Sequence, residues 1–195
     1  MNSGDTITTT VSKDAELISE LGRETFYDAF AHHSLIPRSD MISYLDKAFS
    51  VRQIRTEIDD PNAVFLLAKM AGEPAGYAKL EFDNRVTGLI AERPVKLKRL
   101  YSKHKFIGRG IGATLMHTCL EKAGHRGHDV IWLTVWENNF FAQDFYKRWN
   151  YEPAGSIDFH FGQTILRDVL MQRPVILENS DEITEKSLSI RKLGA

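Results

Sequence analysis

Gly108, Gly110 and Gly112, reached through the basic run LKRLYSKHKFIGRGIG at residues 97–112, are the residues whose types and spacing point most directly to chemistry. Glycine lacks a Cβ, so its backbone takes positive φ and comes close to a ligand, and the first turn of a following helix presents free N–H groups. Those donors, at the positive end of a helix dipole, suit a phosphate or pyrophosphate. Lys96, Lys98, Arg99, Lys103, Lys105 and Arg109 surround the turn with no acidic residue among them. A positive field around the cradle and a polyanionic ligand are therefore expected.

Three phosphate-binding designs use glycines in this way, and spacing separates them. A P-loop needs Gly-Lys-Ser/Thr, but Ala113 and Thr114 follow Gly112, so that design fails. A dinucleotide fingerprint needs Gly-x-Gly-x-x-Gly and an acid about 20 residues on. The glycines here read Gly-x-Gly-x-Gly with Asp129 near the required offset, and this design stays open. The third is the Arg/Gln-x-x-Gly-x-Gly/Ala loop of the GNAT acyltransferase superfamily. Gly110-Ile111-Gly112 fits its glycine pair, although Ile107 stands where Arg or Gln is usual. RLYSKHKFIGRGIGATLMHTCL, VIWLTVWENNFFAQDFYKRWNYEPAGS and GQTILRDVLMQRP extend the likeness. Over about residues 6–174 the chain resembles GNAT enzymes, in particular the bacterial polyamine (spermidine/spermine) N-acetyltransferase, or PaiA-like, branch. TFYDAFAHHSL and SYLDKAFSVRQI resemble that branch more loosely.

The resemblance implies an α/β protein of the GNAT acyl-CoA N-acyltransferase fold, a mixed, largely antiparallel sheet flanked by helices. Residues 1–174 would form the N-acetyltransferase domain and residues 175–195 a charged C-terminal tail. It implies acetyl-CoA as cosubstrate and a small-molecule primary amine, a polyamine or another, attacking directly in a ternary complex. Main-chain groups of Leu100, Tyr101 and Ser102 would meet the pantetheine arm and the thioester, while Gly108, Arg109, Gly110, Ile111, Gly112 and Ala113 hold the pyrophosphate. Asn139, Ala142 and Tyr146 match the family's Asn-x-x-Ala-x-x-x-Tyr, and the four-residue step puts Ala142 and Tyr146 on one helical face beside the cofactor. Tyr146 is the expected general acid, since a phenol with pKa about 10 stays protonated near neutrality and can protonate a departing thiolate. Arg148 is a candidate for a CoA phosphate.

The base is less plain. Many relatives carry a glutamate on the strand before the glycine loop, where this chain has Lys96, and Lys98 replaces an acid frequent in the polyamine branch. Glu137, just after the strand that should splay from residues 97–102, is the expected substitute, with Glu81 and His160 behind it as acceptor-side candidates. His32 and His33 end the first long helix, which lines the acceptor cleft in this branch. Adjacent helical residues face apart, so only one, His32, is placed at the substrate. His125 and His128 lack partners at ligand spacing, so no metal is expected. Cys119 reads as core. Two alternatives stay open: a CoA-binding sensor or regulatory module without catalysis, and transfer to a peptide or protein amine.

The surrounding elements must position these residues. Threonine and β-branched residues at 6–11 suit a strand, and Ser12 offers an N-cap to a helix with Ile18, Leu21, Phe26, Ala29 and Phe30 inward. Pro37 breaks the chain before helical segments that run from Ser39 to about Asp59. Residues 63–69 and 76–82 read as strands joined through AGEP, and 95–102 as the next. An apolar stripe of Ile111, Leu115, Cys119 and Leu120 makes a helix, 129–136 a strand, and Asn139 caps a helix with Phe141, Phe145 and Trp149 inward. Residues 151–159 and 165–173 are the last strands. At 195 residues one domain is expected. Net charge −1 and 43% apolar content fit a protein with neither nucleic-acid nor membrane partners. No apolar run approaches the roughly 20 residues that cross a bilayer, and the polar start lacks a signal-peptide core, so a cytoplasmic location is expected. A single cysteine agrees with a reducing compartment. A homodimer is the expected macromolecular partner, with the tail held at the second subunit.

Overall fold

A computed structural model describes residues 5–31 and 33–176. Among them, strands β1 (Thr6–Thr9), β2 (Ala63–Met70), β3 (Glu73–Phe82), β4 (Pro94–Ser102), β5 (Val130–Trp136), β6 (Glu152–Phe161) and β7 (Thr164–Pro174) form one seven-stranded sheet in the order β1-β2-β3-β4-β5-β7-β6. Only β4 and β5 run parallel, with α4 making the crossover between them. The helices are α1 (Ala15–Phe30), α2 (Arg38–Ala48), α3 (Val51–Ile58), α4 (Ile111–His125) and α5 (Phe140–Arg148). None of these helices is long and apolar enough to cross a membrane. The tail, residues 177–195, lies outside the described residues.

Strand alternation explains the layering. In β2, Leu66 and Ala68 point to one face and Phe65 and Leu67 to the other, the period-2 pattern of a strand buried on both sides. Leu115, Met116, Cys119 and Ala123 of α4 fill the first layer with Leu66, Leu80, Val95 and Leu133. Ile18, Leu21 and Phe26 of α1, with Met41, Leu45 and Ile54 of α2 and α3, fill the second. The helices therefore sit on both faces, as expected. Three local expectations change. The β2–β3 turn is Ala71-Gly72, both at positive φ, and Glu73 already belongs to the strand. Ser12 begins a short 3-10 turn through Asp14 instead of capping α1. Phe141 is 68% exposed, so only Phe145 and Trp149 of the predicted stripe pack inward.

Two irregularities open the sheet where the site lies. The β3–β4 register passes from Lys79↔Arg99 to Leu80↔Leu97, so Lys98 is an extra residue that bulges β4 and adds local twist. The parallel ladder between β4 and β5 holds at Pro94↔Val130, Val95↔Ile131 and Lys96↔Trp132 and then stops. Beyond Lys96 the strands part, and the β4 edge toward β5 has no strand partner among the described residues. On the far arm, Asp40 of α2 anchors the β6–β7 turn, accepting the backbone N–H of Gln163 and of Thr164 at 3.1 Å each and the Thr164 hydroxyl at 2.9 Å. Asp40→Ala leaves those donors without an acceptor. It should cost on the order of 3 kcal/mol, a fall in Tm of roughly 6–12 °C by thermal melt. An unchanged Tm would show that the hairpin is held by its own ladder.

Candidate active site

The gap between β4 and β5 widens into a cleft of about 880 Å³. One wall is Leu97–Ser102 and the other is Thr134, Val135 and Trp136. The turn before α4 and the inner face of α5 close it on one side of the sheet. On the other, α1, Tyr44 of α2 and the β6–β7 arm contribute Phe26, Phe30, Phe159, Leu166 and Asp168. Two chambers thus meet between the splayed strands.

The first chamber is bordered by the glycine turn before α4. Gly110 is the N-cap of α4 at φ 85°, and no side chain caps the helix there. By contrast, Asn139 caps α5 with its side-chain oxygen on Ala142 N–H at 3.1 Å, and Ser50 caps α3. The first-turn N–H groups of α4 are therefore left for a ligand, and Gly108, Gly110, Ile111, Gly112 and Ala113 all border the cleft. Gly108, at φ 81°, is also left-handed, and a Cβ on it or on Gly110 would meet nothing within 4 Å. Open space on that side is what an approaching phosphate requires. The positive field is smaller than the sequence run implied. Lys103 is paired with Glu24 at 2.9 Å, Lys105 with Glu73, and Arg99 with Glu57 at 2.9 Å. These acids come from α1, β3 and α3, distant in sequence. Asp129 accepts the N–H groups of Glu92 and Arg93, at the opposite end of β5 from the cradle, which removes the dinucleotide reading.

The second chamber holds a carboxylate that the sequence reading passed over. Asp168 lies on β7 opposite Trp136, is only 7% exposed and lines the cleft. Burial raises its pKa to about 6, against the lowering pull of the Thr134 hydroxyl and of the Lys96 and Lys98 charges. Lys96 also lines the cleft, with its Nζ 4.3 Å from the centre of the Trp132 ring. Burial and the Lys98 charge bring its pKa down to about 8, opposed by Glu81 and Asp168. Across the cleft Tyr146 is half-buried on α5 beside Phe145 and Tyr151, and burial holds its phenol above the usual value near 10. A buried acid of intermediate pKa and a protonated phenol therefore border one cleft from its two faces.

The expected site residues divide. Leu100, Tyr101, Ser102, Asn139, Ala142, Tyr146 and Arg148 line the cleft with the glycine turn. Tyr101 turns its ring to the second chamber, 6.1 Å from Phe26 and 5.9 Å from Tyr77, which leaves its main chain facing the gap. The side-chain oxygen of Asn139 is engaged by its own helix. Arg109 is exposed beside Phe106 at the rim and does not line the cleft. Glu137 is exposed and outside the lining; its amide bonds Arg167 O at 2.9 Å and its carbonyl accepts from Gln143. Glu81 is held by Lys79 at 2.7 Å and Asn84 at 3.0 Å, away from the cleft, and His160 is exposed on β6. His32 lies outside the described residues, while its neighbour His33 packs edge-on against Trp136 at 4.4 Å. Cys119 is fully buried with its thiol pushed up to about 12, a core residue. The signal for Asp168 was present in TILRDVLM, an acid between Leu166 and Leu170 on the inward face of a strand.

Known proteins share this fold. The model of the Acetyltransferase (GNAT) family matches residues 23–151. An uncharacterized N-acetyltransferase of Lactobacillus delbrueckii subsp. lactis is 29% identical over 164 residues, 84% of this chain and 94% of the relative. The crystal structure of the PaiA N-acetyltransferase from Thermoplasma acidophilum in complex with coenzyme A superposes with TM-score 0.67 at 20% identity, covering 87% of this chain and 98% of that one. The ribosomal-protein-S18-alanine N-acetyltransferase from Escherichia coli superposes with TM-score 0.64 at 14% identity, over 90% and 97% of the two chains.

Proposed function

The chain belongs to the acetyltransferase (GNAT) family and is an acetyl-CoA-dependent N-acetyltransferase; from that premise we propose that it acetylates the primary amine of a small molecule by direct attack, with Asp168 as base and Tyr146 as acid. The observation that carries this reading is that both groups border the same cleft from opposite faces, next to an uncapped helix N-terminus.

Acetyl-CoA supplies an activated thioester carbonyl. The α4 first turn, with Gly108 and Gly110 giving close backbone approach, holds its pyrophosphate, and Arg148 reaches toward a phosphate from α5. The unpaired β4 edge at residues 97–102 offers main-chain donors and acceptors to the pantetheine arm and the carbonyl oxygen. Asp168 accepts a proton from the acceptor ammonium and frees the lone pair that attacks. Tyr146 gives its proton to the departing sulfur. Phe26, Tyr44, Trp136 and Phe159 exclude water from the acceptor chamber.

Two experiments test this reading. A thiol-release assay over a panel of primary amines should show turnover with N-acetylated product by mass; absence of turnover despite tight acetyl-CoA binding would sink it. For the cradle, Gly110→Val forces a β-branched residue to φ 85° and sets a side chain on the phosphate side. Calorimetry should show acetyl-CoA affinity weakened at least about tenfold, near 1.4 kcal/mol. A folded variant with unchanged Kd would move the pyrophosphate elsewhere.

A further inference from the structure

The acceptor chamber is lined by rings from five of the elements that border it, Phe26 and Phe30 from α1, Tyr44 from α2, Tyr101 from β4, Trp136 from β5 and Phe159 from β6. The charges among those rings do not suit a polycation. Asp28 and Asp168 are the acids lining the cleft, against Lys96, Lys98 and Arg99 from β4. Arg99 is already neutralised by Glu57. Lys96 and Lys98 form no ion pair within 4 Å among the described residues, and the Lys96 ammonium lies over the Trp132 ring. Aromatic faces do attract cations, but a second ammonium in this chamber would meet the like charge of half-buried Lys96, with the exposed and better-screened charge of Lys98 beside it.

Building on the transferase reading, we infer that the acceptor is a free α-amino acid with an aromatic or branched apolar side chain, its amine at Asp168, its carboxylate at Lys96 and its side chain among the rings. An α-amino acid sets its ammonium and carboxylate on one carbon. Asp168 and Lys96 match that pair in sign; they face the same side of the sheet from strands β7 and β4 on either side of β5, level with Trp136 and Trp132, four residues apart. A half-buried ammonium with no counter-ion carries a desolvation cost that a ligand carboxylate offsets. Burial, with the Lys98 charge, is also what depresses Lys96 toward about 8, against the raising pull of Glu81 and Asp168. The rings supply area and flat surfaces for an apolar side chain and offer no hydrogen bonds along a polyamine's length.

The test compares kcat/KM at saturating acetyl-CoA for L-phenylalanine, L-leucine, phenethylamine and spermidine. Phenylalanine should exceed phenethylamine and spermidine by at least about tenfold, the effect of a charge-assisted hydrogen bond. Lys96→Met should remove that advantage, bringing phenylalanine and phenethylamine within about threefold, and Lys96→Arg should retain most of it. Phenethylamine or spermidine equal to or better than phenylalanine in the wild-type enzyme overturns the amino-acid inference and leaves the transferase reading intact. Turnover with no amine removes the transferase reading itself. The wild-type comparison does not depend on either variant folding.

Discussion

Asp168→Asn is expected to lower kcat by about 10²- to 10⁴-fold while leaving the protein as stable as the wild type or more so. The loss follows from removing the group proposed to take the acceptor's proton, at the usual magnitude of general-base catalysis. The stability follows from the sign of the pKa shift. Folding raises the carboxyl from 3.8 to about 6, so the native state binds the proton more tightly than the unfolded chain. The stabilisation is fully present below 3.8 and is lost as pH rises through about 6. At pH 7.5 the ionised side chain therefore costs folding free energy, at most about 3 kcal/mol from two units at 1.36 each. Asparagine keeps the shape without the charge. In the wild type, kcat should rise with pH with an apparent pKa near 6, and the variant should lose that limb. A variant that melts markedly lower than the wild type at pH 7.5 and keeps its pH profile would make Asp168 a structural partner of Thr134 and Lys96.

The contrast between Asp168 and Glu137 shows what a single sequence reveals of such a site. The cradle was legible because its chemistry is local: glycines, a helix start and the residues between them lie within a dozen positions, and backbone geometry alone gives them meaning. The order of strands and helices was legible for the same reason, through period-2 and period-3.6 patterns. The proposed base, Asp168, was not, because it sits on β7 and reaches the cleft only when β7 inserts between β5 and β6, a pairing of residues more than 30 positions apart. Glu137 looked well placed in sequence, directly after β5, but the chain turns there and its main chain is engaged by Arg167 and Gln143 while its side chain is exposed. The basic run was misjudged in the same way. Glu24, Glu57 and Glu73, each far away in sequence, return to neutralise three of its cations. Local patterns state which charges exist; tertiary pairing decides which remain available.

Tyr146→Phe is expected to reduce kcat by about 10- to 1,000-fold with little change in the Kd for acetyl-CoA, because the hydroxyl is needed only when the carbon–sulfur bond breaks. The phenyl ring of the variant keeps the packing against Phe145 and Tyr151, at 5.5 and 5.7 Å, so α5 should stay in place. Burial holds the phenol protonated across the physiological range, which keeps the donor loaded. The same shift makes it a weaker acid in the free enzyme, so proton transfer must be driven by the basicity of the leaving thiolate. A test follows from that dependence. An acyl donor whose thiol has a lower pKa leaves as a more stable anion and needs the proton less, so the penalty of Tyr146→Phe should shrink with such a donor. Steady-state turnover with acetyl-CoA and with an activated aryl thioester of acetate, using one amine acceptor, measures both penalties. Equal penalties for the two donors, or wild-type turnover in the variant, would reduce Tyr146 to a packing residue and leave protonation of the sulfur to solvent entering between β4 and β5.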